Sequence, residues 1–137
     1  MVSNEVEHAP GSLESIRQIL GTHLIIELDG VDPFLLKDVD FVREALIEAA
    51  AKTGATILND KFHDFGPNYG VTGVVSLSES HISVHTWPEY KYAAVDIFVC
   101  GDCDPYKGSK HIVCVFNPNV YQIKQIKRGA LKVNVDN

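Results

Sequence analysis

Two nearby segments of this chain alternate apolar and polar residues with a period of two. In His81–Thr86 the apolar Ile82 and Val84 point one way, and His81, Ser83 and His85 the other. In Tyr92–Cys100 the apolar row is Ala93, Val95, Ile97 and Val99, opposite Tyr92, Asp96, Phe98 and Cys100. Such segments are strands with one buried face, so the fold must cover that face and leave the other polar. Further strands are expected at Thr22–Leu28, Ala55–Leu58, Val71–Leu77 and Val120–Ile126, with Lys61–Phe65 a short strand or loop. One helix is clear. Asp32 and Pro33 open it, Val39, Val42, Ala45, Leu46, Ala49 and Ala50 recur at helical spacing, and Gly54 stops it. Asp104 and Pro105 repeat the opening signal, but Gly108, Val113, Val115 and Phe116 suit a helix poorly and a strand equally well. Strands outnumber helices, and the helices can cover one face only. The expected class is α+β, a two-layer α/β sandwich with a mainly antiparallel sheet.

The 137 residues allow one core, placed here at 13–137 behind a polar tail at 1–12. Lys and Arg number 12 against 18 Asp and Glu, with no basic cluster, which excludes a nucleic-acid backbone as partner. No apolar run reaches the length of a membrane span, and the first residues lack the basic start and apolar stretch of a signal peptide. The expectation is a cytoplasmic protein. Cys100, Cys103 and Cys114 are too few for a disulfide framework, and the spacing of Cys100 and Cys103 lacks the second pair of a zinc site.

Chemistry concentrates between Leu77 and Tyr90, which hold Ser78, Glu79, Ser80, His81, Ser83, His85, Thr86, Trp87 and Glu89. His81 and His85 lie four residues apart on a strand, roughly 13 Å, too far to share a metal ion. A serine hydrolase would need a G-x-S-x-G elbow between strand and helix, and there is none. No metal site is expected, and His23 and His63 read as structural.

The run Ser78-Glu79-Ser80-His81-Ile82-Ser83-Val84-His85-Thr86-Trp87-Pro88-Glu89-Tyr90, followed by Tyr92–Gly101, closely resembles the small self-processing prokaryotic S-adenosylmethionine decarboxylases. Gly21–Leu24, Gly30–Pro33, Gly54–Thr56, Phe62-His63 and Lys127–Gly129 fit the same family in order, so the likeness covers about residues 20–130. It implies that family's fold and a chain that cuts itself at Glu79–Ser80 into residues 1–79 and 80–137, Ser80 becoming a covalent pyruvoyl cofactor. The resemblance assigns proton transfer during cleavage to His85, and a hydroxyl beside it to Thr72, where the family has serine. It makes Cys100 the proton donor in decarboxylation, Phe65 and Trp87 the rings that hold adenine, and Glu89 the carboxylate on the ribose. The substrate implied is S-adenosylmethionine, bound through its amine as a Schiff base and decarboxylated to the aminopropyl donor for spermidine and other polyamines. A homodimer is implied as well.

Alternation alone would put Ser80 and His85 on opposite faces, so a kink is expected near Ser80. The turn Gly66–Gly70 is one residue longer than the family's usual one. Two other readings stay open: a pyruvoyl decarboxylase of arginine or ornithine, and an uncut homologue acting as a binding partner.

Overall fold

The computed structural model describes residues 14–16, 19–129 and 132–134. Strands β2 (Gly21–Asp29), β3 (Ile57–Asp64), β4 (Val71–Leu77), β5 (Ser80–Trp87), β6 (Tyr92–Cys100) and β7 (Val120–Arg128) form one sheet in the order β3-β4-β5-β6-β2-β7. Every neighbouring pair is antiparallel. A separate small ladder joins β1 (Glu14–Ile16) to β8 (Lys132–Asn134), so the chain does not simply fray after Val133. The expected tail at 1–12 lies outside the described residues.

Helices α1 (Pro33–Leu36), α2 (Val39–Thr53) and α3 (Pro105–Phe116) cover one face of the large sheet. Leu24, Ile26, Val75, Ile82, Val84, Ile97 and Val99 from the strands meet Val42, Leu46, Ala49, Ile112 and Phe116 from the helices in one buried core. Each such side chain contributes about 1.5–3 kcal/mol by leaving water. The α+β two-layer reading holds, and among the described residues no helix lies on the other face. No helix among them is long and apolar enough to cross a membrane.

Three local expectations change. The helix opened by Asp32 is two helices, because Asp38 is extended and its carboxylate accepts from the amides of Asp40 and Phe41 as a second cap. Ala55–Leu58 and Lys61–Phe65 merge into the single strand β3, whose pairing with β4 absorbs an irregularity near Asn59. The ambiguous segment after Pro105 is a helix. Gly108 lets it approach α2 and the sheet: a Cβ there would sit 2.8 Å from Thr53 Cγ2 and 3.1 Å from Ile97 Cδ1. Close packing decides against local propensity. The two long helices run antiparallel, with Asp104 N–H bonded to Thr53 O at 3.0 Å at one end and the Phe41 and Phe116 rings 5.4 Å apart at the other.

Candidate active site

Two groups of functional side chains lie near opposite ends of β5. The first surrounds the tight turn from β4 to β5. Leu77 pairs with Ser80, leaving Ser78 and Glu79 as the turn. The Glu79 carboxylate accepts from Thr56 N–H at 2.9 Å and from Ser78 Oγ at 2.7 Å. Ser78 N–H in turn donates to Thr56 O at 3.0 Å. The Ser78 hydroxyl first, and the Thr56 amide second, hold the Glu79 carboxyl below its ordinary range. Clamped in this way, the chain enters β5 with Ser80 at φ 135°. That region is open to glycine and costs other residues about 1–3 kcal/mol. The kink expected near Ser80 takes the form of this positive φ alone. β5 pairs with β4 and β6 through Ser80 without a register shift, opposite the buried Leu77 and Val99, so Ser80 and His85 stay on opposite faces.

Immediately beside it, Cys100 N–H donates to the Glu79 carbonyl oxygen at 3.1 Å. This carbonyl belongs to the Glu79–Ser80 peptide bond. Cys100 ends β6 with its side chain half-buried, and Cys103 stands nearby, its thiol pushed up by burial and by the Glu79 charge.

The second group lines a recess of about 330 Å³ at the other end of the hairpin, bounded by Phe65, Tyr69, Thr72, His85, Trp87 and Glu89. Thr72 and His85 face each other across β4 and β5, with Oγ1 and Nδ1 hydrogen-bonded at 3.0 Å. Trp87 and Phe65 are 39% and 57% exposed, so both rings are available to a ligand. Glu89 sits on the single 3₁₀ turn Pro88–Tyr90 that follows β5. Gly70 is required here, because a Cβ would fall 1.9 Å from Thr86 O. Thr86 itself is buried and ties the recess to the helix layer through its hydroxyl, 2.6 Å from Leu36 O. Phe65, Thr72, His85, Trp87 and Glu89 thus share one recess, despite the longer turn. Ser80, Glu79 and Cys100 do not join them in the same chain: five residues of strand separate Ser80 from His85, roughly 16 Å.

The helix-free face carries a third arrangement that periodicity alone did not reveal. Asp96 accepts from His23 Nε2 at 2.6 Å, from His81 Nε2 at 3.0 Å and from the Ser83 hydroxyl. Burial pushes the Asp96 carboxyl up, but the three donors, Ser83 foremost, outweigh it and hold the group below its ordinary range. Alternation had put His81, Ser83 and Asp96 on one face. It could not bring in His23, which comes from β2, opposite Phe98. Three ligand-type groups therefore meet where none was expected, with their ligand atoms within 4.8 Å of one another. The proton positions disfavour a metal ion. Arg128 can only donate, and its NH1 lies 3.0 Å from His23 Nδ1. The proton of a neutral His23 is then on Nε2, directed at Asp96 rather than open to a cation.

With this geometry in view, the comparisons with known proteins are specific. The family model described as S-adenosylmethionine decarboxylase matches residues 22–129. An S-adenosylmethionine decarboxylase proenzyme of Thermodesulfovibrio yellowstonii is 46% identical over 113 residues, covering 82% of this chain and 83% of the relative. That of Fervidobacterium nodosum is 46% identical over 111 residues, 80% of each chain. The crystal structure of adenosylmethionine decarboxylase from Aquifex aeolicus VF5 superimposes with a TM-score of 0.76 at 36% identity, covering 84% of this chain and 95% of that one. A match that spans nearly all of the sheet and both long helices is a match of the whole domain: this chain belongs to the S-adenosylmethionine decarboxylase family.

Proposed function

We propose that the chain is a self-processing S-adenosylmethionine decarboxylase that cuts its own Glu79–Ser80 bond and converts Ser80 to a pyruvoyl group. The observation that carries this reading is the hydrogen bond from Cys100 N–H to the Glu79 carbonyl, beside a serine held at φ 135°. Attack of Ser80 Oγ on the Glu79 carbonyl carbon puts negative charge on the oxygen that Cys100 N–H already holds. A donor so placed is worth about 3–4 kcal/mol in comparable acyl transfers. Breaking the C–N bond relieves the strained backbone and leaves Glu79 joined to Ser80 as an ester. Removal of the Ser80 Cα proton by His85 then expels the Glu79 carboxylate, and residues 1–79 separate from residues 80–137. The dehydroalanine left at position 80 tautomerises, takes up water and releases ammonia. The Thr72 hydroxyl orients the His85 imidazole for this task.

The ketone so formed supplies the electron sink for loss of CO₂ from a bound α-amino acid. The Cys100 thiol returns a proton to the substrate Cα, Phe65 and Trp87 grip the adenine, and Glu89 accepts the ribose hydroxyls. These rings and this carboxylate line one recess, which favours S-adenosylmethionine over arginine or ornithine. The product is the aminopropyl donor for polyamine synthesis. The cysteines are free thiols, which supports a reducing, cytoplasmic setting.

The separation of roughly 16 Å between Ser80 and His85 supports a homodimer in which one protomer supplies Ser80 and Cys100 and its partner supplies the recess. The helix-free sheet face is the surface available for that pairing. Intact-mass measurement tests the cleavage: two species, residues 1–79 and a carbonyl-blocked 80–137, are expected, and a single full-length chain would refute the enzyme. Assay of CO₂ release tests the substrate, since release from arginine or ornithine but not from S-adenosylmethionine would overturn the adenine assignment. Co-expression of Ser80→Ala with His85→Ala tests the shared site. Cutting of the His85→Ala chain is expected, and a pair that stays wholly uncut would show that each protomer works alone.

A further inference from the structure

A second recess, of about 360 Å³, lies in the helical layer, lined by Lys52, Lys107, Lys110, His111 and Cys114. Residues 107, 110, 111 and 114 follow the spacing of one helix face, and Lys52 comes from the last turn of α2. The placement is electrostatically unfavourable as it stands. Three of the chain's 12 basic residues crowd one groove in a protein of net charge −6. None of the three ammonium groups has an ion-pair or hydrogen-bond partner among the described residues, and no carboxylate lines the groove. The nearby Glu48 is turned to His111, with Oε2 3.0 Å from Nε2. Lys52 suits the C-terminal end of α2, where a cation opposes the helix dipole. Lys107 does the reverse: it lies in the first turn of α3, the positive end, where there is no acidic residue and only the Asp104 cap precedes it. An anion bound between the lysines would remove the repulsion.

We propose that this groove, between the last turn of α2 and the exposed face of α3, binds a small oligophosphate anion. Three point charges around one recess match several negative charges on a compact ligand, where a single carboxylate would leave two lysines unmatched. Among the described residues the groove has no arginine fork to select a planar carboxylate, and no Phe, Tyr or Trp. Its one ring is the His111 imidazole, whose Nε2 lies 3.0 Å from Glu48 Oε2, so the recognised chemistry is the phosphate chain itself. The groove lies on the helical side of the sheet and shares no lining residue with the recess of Phe65, Trp87 and Glu89. It stays open whichever way the sheet face is used, and the inference does not depend on the decarboxylase reading.

The test is calorimetric titration of inorganic pyrophosphate into the full-length protein at constant ionic strength, without divalent cations. Saturable one-to-one binding is expected, weakened at least ~tenfold by Lys107→Gln with Lys110→Gln. The charge-matched pair Lys61→Gln with Lys124→Gln, at exposed positions elsewhere, should bind within about twofold of the unaltered protein. Absence of saturable binding would overturn the proposal. So would binding that survives the groove substitutions, or an equal loss in the control pair, which would mark a general charge effect. All four side chains are exposed, and circular dichroism checks that both variants keep the fold.

Discussion

Cys100 holds the Glu79 carbonyl through its backbone amide, at 3.1 Å, and not through its thiol. One residue at the end of β6 therefore offers two separable groups to the same place: an N–H on the Glu79 carbonyl, to which the proposed cleavage assigns a role, and a thiol, to which the proposed decarboxylation assigns another. Side-chain substitution removes the second and spares the first.

Cys100→Ala is accordingly expected to cleave between residues 79 and 80 at close to the normal extent. Its kcat should fall by about 10²–10⁴-fold, the usual contribution of a positioned proton donor. Fragment masses and CO₂ release, measured on one preparation, check both halves of this expectation. Loss of cleavage together with activity would show that the sulfur acts earlier than the amide geometry implies.

Ser80→Ala and Ser80→Gly should both remain uncut, because neither offers a nucleophile. They should differ in stability. At φ 135° alanine keeps the strain and glycine does not, so the glycine variant is expected to be about 1 kcal/mol the more stable. Chemical denaturation of the two uncut proteins measures the difference directly, and equal stabilities would mean that the turn relaxes when the hydroxyl is gone.

Thr72→Val removes the hydroxyl that meets His85 Nδ1 while keeping the branched shape. Cleavage should slow by about tenfold or more, the effect of losing one hydrogen bond to a working side chain. Thr72→Ser restores the hydroxyl and should process at least as fast as the unaltered chain. A gel time course of freshly translated protein follows both.

Trp87→Ala and Phe65→Ala should raise KM for S-adenosylmethionine more than they lower kcat. Stacking of a base on an aromatic ring is worth about 1–3 kcal/mol, which corresponds to roughly 5–150-fold in KM. Steady-state kinetics of the cleaved variants decide the matter, and a pure kcat effect would place the rings elsewhere in the reaction.

Tyr92 is expected to set an alkaline limb of stability. Its hydroxyl donates to Glu27 Oε2 at 2.6 Å, and burial first, then the Glu27 hydrogen bond and charge, push the phenol up to about 12. A group whose pKa is raised on folding contributes fully below its unfolded value near 10 and loses that contribution as pH climbs through 12. Thermal unfolding of the unaltered protein should therefore weaken between about pH 10 and 12 more steeply than that of Tyr92→Phe. Parallel curves would show that this pair does not couple to folding.

Much of the molecule was legible in the chain itself, since alternation and helical spacing report burial directly. Ile82 and Val84, then Ala93, Val95, Ile97 and Val99, and the helical stripe Val42, Ala45, Leu46, Ala49 and Ala50 all lie in the core as their spacing required. The string around Ser80 identified the family because its residue types recur in order, and no packing knowledge was needed for that. What the chain could not disclose is whatever depends on distant segments meeting. Gly108 weakens α3 locally yet permits its contact with Thr53 and Ile97, and only the assembled helix layer rewards that. His23 joins Asp96 across 73 positions of sequence, and no period links them. The hydrogen bond from Cys100 to Glu79 likewise exists because β5 and β6 pair in one register, and a one-residue slip would abolish it. Local sequence set the strands, the caps and the reactive residues. The pairing of strands, a cooperative outcome of burying one face, decided which of those residues meet: it set Cys100 N–H on the Glu79 carbonyl and Thr72 against His85, at opposite ends of β5.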